Sequence, residues 1–449
     1  MHFGLEQVTV SALYFSFLAA FFLSIFWRPI VGICFLVPII PMQTLRYRID
    51  QYPFGSNIVL LILFAVGLGL VLRGMPVFSK VPWRGLVVFH MTYLSISLCL
   101  GSLYLGRSMP FTLTDPRFSE WKDYIIMPIL LFLVAGAVTS TKELKLVLLL
   151  VCIGIFLLDK GAWGAVSGRD YSSYSDELRD PGPMGYAGSN GLGAFLAQAS
   201  SFLLVVATLE PRLRWKYAYY ALTIFSFIVL MFSLSRGGYV AFAVAFLFVG
   251  LTAQRKVLFL TIALATIWTS FVPEAVKSRV TMTQSDEGGL DHSSETRINL
   301  WEDAFSLIES NPITGTGYVT YAYMGRVGNY TDTHNLYLKI LVETGFVGFL
   351  VFVLMVTRFI WSGFRLFLSV KDPLHCTIGL GLATWVLCSV VANVFGDRWN
   401  YLQVNGYMWV LAGLLASALT LQEESQLVEA EAQEKVAESE IEELSVYAS

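Results

Sequence analysis

The sequence is short of charge. Only 14% of its 449 residues are Asp, Glu, Lys or Arg, where a soluble globular chain carries about 25%. A soluble chain of this length would divide into two or three domains joined by polar linkers, and apolar segments stand where those linkers would be. Lysine-rich stretches are missing and the net charge is −3, which gives a nucleic-acid partner no electrostatic footing. The five cysteines (Cys34, Cys99, Cys152, Cys376, Cys388) sit in or beside apolar runs, none in a C-x-x-C pair. Neither a zinc site nor a disulfide framework is indicated, and they read as small buried hydrophobes. The N-terminus lacks a basic segment and an A-x-A cleavage site, so its first apolar run reads as a retained helix. No internal repeat of the kind that underlies inverted-repeat transporters is visible.

What is present is apolar length. Hydrophobic residues make up 55% of the chain, and runs approaching the roughly 20 residues that a span needs recur almost from end to end. They fall near 8–27, 28–45, 57–72, 83–105, 121–138, 143–158, 189–208, 215–234, 237–253, 256–272, 335–361, 375–394 and 404–421. The first two are divided only by Arg28-Pro29, so either could be partial or re-entrant. The expected fold is an all-α polytopic transmembrane helix bundle of twelve to fourteen spans occupying residues 1–421.

Two long polar loops interrupt the bundle, at 159–188 and 273–333. The raw Lys and Arg count is even between the two sides, but short loops weigh most in setting orientation. Arg73, Lys80 and Arg84, then Lys142 and Lys145, then Arg212, Arg214 and Lys216, then Arg255 and Lys256, then Arg358, Arg365 and Lys371 occupy short connections on one side. That side is expected to be cytoplasmic, which puts both long loops outside. Residues 422–449 form a different material: 422–443 hold nine Glu against one Lys. They are expected to form an acidic cytoplasmic tail, flexible or helical.

In the second long loop a helix is expected from Ser293 or Ser294, either of which can cap it, with Glu295 at its positive end. Arg297, Leu300, Trp301, Ala304, Phe305 and Ile308 recur at spacings of three and four and form one stripe. Asn311-Pro312 ends the helix, because proline disfavours helical geometry in the residue before it. Arg297, at the start of the stripe, is either a snorkelling arginine whose stem covers apolar surface or a cation held over the outer mouth of the bundle. Gly315-Thr316-Gly317-Tyr318 lacks the last glycine and the lysine of a phosphate-binding loop and reads as a tight re-entry turn. Arg236 lies in a connection too short to leave the membrane surface, beside Gly237-Gly238. It is either an interfacial anchor or a planar fork suited to diphosphate oxygens. Of the five histidines, His334 alone stands at the outer boundary beside the long loop, and imidazole has the chemistry of a general base.

These segments follow in a fixed order: S-R-G-G at 235–238, R-I-N-L-W at 297–301, N-P-I-T-G-T-G-Y at 311–318, and H-N-L-Y-L-K-I-L-V-E-T-G-F-V-G at 334–348. Together they resemble the O-antigen ligase/polymerase family of bacterial membrane proteins, most clearly over about 235–350. The resemblance implies an inverting, metal-independent glycosyltransferase of the inner membrane that needs no cofactor. Its donor would be a glycan on undecaprenyl diphosphate, and its acceptor a hydroxyl on a glycan, a lipid A core or a protein. It further implies that Arg236 and Arg297 bind the diphosphate and that His334 activates the acceptor.

Tyr337, Asp332, Glu343 and Arg398 are possible supporting residues. Tyr337, at i+3, is the better local neighbour of His334. Glu343, nine residues on, falls about 180° round a regular helix and reads as a structural bond inside the bundle. Asp397-Arg398 could line the acceptor path or pair with each other. Asp332 with Asp286-Glu287 could be assembled into a metal site, but no carboxylate cluster demands one. The competing class is a transporter or flippase for lipid-linked oligosaccharides, which would place its charges deep within the spans.

Overall fold

The computed structural model describes residues 5–447 apart from 79–80, 113, 268–271, 282–291 and 329, with backbone alone at 5–8, 260–262, 264–265, 267, 292–294 and 428–447. The longer described elements are helices: α1 (Leu5–Phe26), α2 (Ile30–Leu36), α3 (Gln43–Tyr47), α4 (Ile58–Leu72), α5 (Arg84–Tyr104), α6 (Pro116–Ala137), α7 (Thr141–Val166), α8 (Gly188–Leu209) and α9 (Leu213–Phe232). They continue with α10 (Arg236–Thr252), α11 (Arg255–Ile267), α12 (Glu274–Thr281), α13 (His292–Ser310), α14 (Tyr321–Met324), α15 (Leu336–Ser369), α16 (Pro373–Ala392) and α17 (Leu402–Tyr447).

Among the described residues nine helices are long and apolar enough to cross a membrane: α1, α4, α5, α7, α8, α9, α15, α16 and α17. The protein is a polytopic, multi-pass helical bundle. Helices α6, α10 and α11 add apolar lengths that are shorter or carry charge at one end, such as Glu120, Lys122 and Asp123 on α6. The apolar run at 28–45 is a partial traverse: α2 and the tight turn Val37–Ile39 supply ten helical residues around Pro38, about 15 Å of rise against a hydrocarbon core of about 30 Å.

Local chemistry fixes several helix starts. Asp115 caps α6 by accepting from Arg117 N at 2.9 Å, with Pro116 in the first turn. Asp372 caps α16 by accepting from His375 N at 3.1 Å, with Pro373 likewise placed. In each case an orphan N–H finds a carboxylate and the proline sits where no N–H is needed. Helix α7 runs eight residues past its expected end, so Asp159 is not the start of the outer loop. It is fully buried inside the helix, its carboxylate 3.5 Å from Ser226 Oγ on α9, and the loop begins at Ser167. The neighbour on α9 supplies the polar contact that lets an acidic residue stay within the helix.

The connections sort to the two ends of the bundle. At one end, Tyr171 O accepts from Ala275 N at 3.1 Å, Tyr318 N donates to Ser97 O at 3.1 Å, and Arg107 lies 5.5 Å from the Tyr323 ring. The two long loops therefore lie together. At the opposite end Arg28 pairs with Glu143, and Arg73 donates to Ile25 O at 2.8 Å. Helices α8, α16 and α17 form the buried centre, with Phe195, Phe202 and Tyr407 packed edge to face around Trp385.

Helix α15 is broken. Gly345 has φ 61° and ψ −168°, a conformation that disfavours any side chain. A break in mid-helix orphans carbonyls before it and N–H groups after it, and the 312–317 loop satisfies both. Thr316 N and Gly317 N donate to Val342 O and Glu343 O at 2.8 Å, while Phe346 N and Val347 N donate to Pro312 O and Ile313 O at 2.9 and 3.2 Å. The G-T-G re-entry turn is thus a splint across the break. A Cβ on Gly315 would lie 2.5 Å from Glu343 C.

Candidate active site

Leu234, at φ 53°, closes the turn between α9 and α10, and Ser235 caps α10 by accepting from Gly238 N at 3.4 Å. A Cβ on Gly238 would stand 2.8 Å from Gly193 O of α8. Glycine at this position lets the two backbones meet, as small residues do between membrane helices. Arg236 is consequently fixed on the first turn of α10, at the end of the bundle that carries the long loops.

Helix α13 brings Arg297. Its Leu300, Ala304 and Leu307 are buried against Leu338 and Val342 of α15 and Tyr321 of α14. The expected stripe needs one correction: Phe305 is 53% exposed and Leu307 takes its place in the contact, because the seam is centred on the 300–304–307 arc. Trp301, one turn after Arg297, donates its indole N–H to Thr333 O at 3.1 Å. One helix face therefore carries the arginine and also pins the backbone beside His334. The side chains of Ser293 and Ser294, the expected caps, and Asp286-Glu287 lie outside the described residues.

Arg398 stands on the 393–401 turn. Asn393 Oδ1 accepts from Arg398 N at 2.7 Å, and Asn405 Nδ2 donates to Arg398 O at 2.8 Å. The guanidinium donates to the backbone oxygen of Asp397 at 2.8 Å. The Asp397 carboxylate instead takes Lys339 Nζ of α15 at 2.6 Å, so the two side chains do not pair with each other. Leu336 N donates to Gly396 O at 3.1 Å, joining the start of α15 to the same turn.

Arg236, Arg297 and Arg398 line one cavity of about 280 Å³ together with Arg179 and Arg279, which the sequence did not single out. Each long loop contributes one of the two. Arg179 donates to Asn190 Oδ1 at 2.9 Å, and the Arg279 guanidinium lies 4.9 Å from the centre of the Tyr174 ring. Among the described residues that line the cavity none is a carboxylate, and Arg179 itself pairs with Asp176 at 3.6 Å. Burial, joined by the charges of Arg179 and Arg236, pushes the Arg279 guanidinium below its ordinary value, with Tyr174 and Asp176 acting the other way. Guanidinium stays charged regardless, so the five side chains make the cavity rich in N–H donors and positive charge. The visible hint in the sequence was that both long loops fall on the same side; which of their arginines converge depends on contacts distant in the chain.

His334 precedes α15 rather than riding on it, at φ 51°. Asp332 Oδ1 accepts from His334 N at 2.6 Å and lies 2.8 Å from His334 Nδ1. That contact is satisfied by a proton on Nδ1, the tautomer in which Nε2 carries the lone pair. Tyr330 meets the imidazole edge to face at 5.8 Å. Burial pushes the Asp332 carboxyl up, but the hydrogen bond and charge of His334, with Lys339 and Arg398, outweigh it and hold it well below the ordinary carboxylate range.

The local helix begins at Leu336, where Asn335 Oδ1 accepts from Tyr337 N and Leu338 N at 3.0 and 3.2 Å. Tyr337 is not the partner of His334: its hydroxyl donates to Val390 O of α16 at 2.6 Å. Glu343 accepts from Tyr321 N at 3.1 Å and is buried beside the helix break.

No curated protein matches the chain. Residues 221–353 match the family model described as O-antigen ligase. The matched stretch runs from α9 into the second half of α15 and holds Arg236, Arg279, Arg297, Asp332 and His334, and it places this region of the chain in the O-antigen ligase family.

Proposed function

We propose that the protein transfers a glycan from undecaprenyl diphosphate to an acceptor hydroxyl at the outer face of the cytoplasmic membrane, with inversion and without a metal. The coarser statement, a multi-pass membrane protein with a domain for glycan transfer of the O-antigen ligase/polymerase type, rests on the family match and the helices. The finer reading is carried by one observation: five guanidinia converge on one cavity. Such a cavity suits a diphosphate, whose oxygens take bidentate N–H donors and whose charge grows as it leaves.

In this mechanism the acceptor O–H gives its proton to His334 Nε2 while its oxygen forms a bond to the anomeric carbon. The bond from that carbon to the phosphate oxygen breaks, and its electron pair passes to the diphosphate, held by the arginines. Asp332 keeps the imidazole in the basic tautomer and stabilises the imidazolium that results. The acceptor is a glycan, a lipid A core or a protein hydroxyl. The basic short connections gather at the end opposite the cleft, supporting an outward-facing site under the positive-inside rule.

The test is reconstitution of the full chain in liposomes with extracted lipid-linked glycan and acceptor. Arg236→Ala and Arg297→Ala should each slow transfer by about 100-fold, as loss of a charge-stabilising donor does. His334→Ala should slow it by roughly 10²–10⁴-fold. Near-normal rates in all three variants would overturn the mechanism, and movement of lipid-linked glycan across the bilayer without transfer would overturn the reading itself.

A further inference from the structure

A second polar cavity, of about 210 Å³, opens at the same end of the bundle between α3, the 50–57 turn, the start of α6, Tyr186 and the start of α17. Its floor is built from two side-chain amides, Gln43 and Gln403, each 1% exposed. Gln43 Oε1 accepts from Tyr186 N at 3.1 Å and from Gln403 Nε2 at 3.2 Å, and Gln43 Nε2 donates to Tyr47 Oη at 2.8 Å. The 182–187 turn folds tightly over this floor: a Cβ on Gly185, at φ 60°, would lie 2.6 Å from Gln43 Oε1. Above the floor the half-buried Arg46 guanidinium makes no hydrogen bond or ion pair with a described residue, and neither does the Asn400 side chain. Among the described residues these two side chains have no hydrogen-bond partner, so their polar groups are open to a ligand.

The charge balance decides what fits. The arginine cleft has five cations among its described lining residues. Here Arg46 and Lys122 face Asp50 and Asp123, so the cavity offers an anion no net attraction. It offers amides, a guanidinium, carboxylates and two tyrosines, which present flat apolar faces with polar tips. That mixture matches a molecule whose hydroxyls both donate and accept and whose C–H faces pack on rings. At about 210 Å³ the cavity falls below the roughly 300 Å³ where drug-sized pockets begin, so it takes a short unit.

The two cavities share a wall. Tyr401 receives the Arg398 guanidinium at 5.9 Å from its ring centre and packs edge to face with Tyr186 at 5.5 Å. The turn that presents Arg398 to the cleft therefore presents Asn400 and Gln403 to this cavity. From these observations we infer that the cavity is a saccharide subsite, binding an uncharged sugar unit of a glycan whose reacting end lies at the arginine cleft. The inference rests on the glycan-transfer reading. The sugar belongs to the donor's glycan or to the acceptor, and the chemistry is the same for both.

The experiment uses the full chain in nanodiscs with two probes, the water-soluble glycan released from the lipid-linked precursor and the isolated acceptor glycan. Saturation-transfer NMR reads binding for wild type, Tyr186→Ala, Asn400→Ala and Arg46→Gln, each checked by thermal unfolding. Transfer kinetics on the same proteins follow. The expected result is a loss of saturation transfer for one probe and a rise of about five- to tenfold in KM for the corresponding substrate, the scale of one neutral hydrogen bond. Binding of undecaprenyl diphosphate should stay unchanged. The probe affected identifies the source. Wild-type binding of a probe that the variants lose, in a protein that transfers nothing, would sink the transfer reading and keep the subsite. Unchanged binding of both probes in all three variants overturns the subsite.

Discussion

Replacing Asp332 by asparagine separates the acid's two roles. In the native protein one carboxylate oxygen serves both the backbone N–H of His334, at 2.6 Å, and the imidazole Nδ1, at 2.8 Å. Asparagine keeps a carbonyl oxygen for the backbone, so the positive φ at His334 should persist. It removes the negative charge that favours a proton on Nδ1 and stabilises the imidazolium formed as the substrate proton is taken. The expected loss is most of what a positioned base contributes, roughly 10²–10⁴ in rate, or about 2.7–5.4 kcal/mol in the barrier. Initial rates in liposomes with saturating donor and acceptor measure it, and KM for the donor should hold because the arginine cleft is untouched. Asp332→Ala should lose as much activity and also unfold at a lower temperature, having lost the backbone acceptor. A rate for Asp332→Asn within about threefold of wild type, well below the range a base supplies, would refute the claim that the Asp332 charge assists the imidazole.

Other outcomes follow from particular contacts. Gly345→Ala would set a Cβ 2.3 Å from Ile313 O at a positive φ, and should destabilise the purified protein by about 2–5 kcal/mol in thermal unfolding. Trp301→Phe removes the N–H that reaches Thr333 O and should cost about 1 kcal/mol, seen as a several-fold fall in kcat with unchanged binding of undecaprenyl diphosphate. Because the folded Asp332 carboxyl lies below its ordinary range, its contribution to stability is present above the unfolded value near pH 3.9 and is lost as pH falls through the lower folded value. The gap in unfolding temperature between wild type and Asp332→Ala should therefore stay level from about pH 8 to 5 and close only below about pH 3.9. Truncation after Glu423 should leave the transfer rate unchanged, because α17 starts at the site's end of the bundle and runs away from it.

How much of this was legible in the sequence depended on the range of the interaction. Apolar length is local, so among the described residues the expected runs coincide with helices, and the run at 28–45 shortens where Arg28-Pro29 and Pro38 interrupt it. The break at Gly345 was hidden because Val342-Glu343-Thr344-Gly345-Phe346 continues an apolar pattern, and only the distant 312–317 loop makes a break tolerable by filling its hydrogen bonds. Asp159 misled for a related reason: an acid at the end of an apolar run reads as a loop until Ser226 is seen beside it.

The same distinction of range explains the cleft. Arg236 and Arg297 stood out because each sits in a recognisable local frame, a glycine turn and an amphipathic helix. Arg179 and Arg279 had no such frame, since the loops that hold them become ordered against each other through Tyr171, Tyr174 and Ala275. Gathering five cations is costly unless something anionic returns the energy, and a bundle of apolar helices gains nothing in stability from it. Part of that return is internal, since Arg179 pairs with Asp176 at 3.6 Å. In the proposed mechanism the diphosphate brings further negative charge to the five guanidinia, which is why loss of Arg236 or Arg297 is expected to slow transfer.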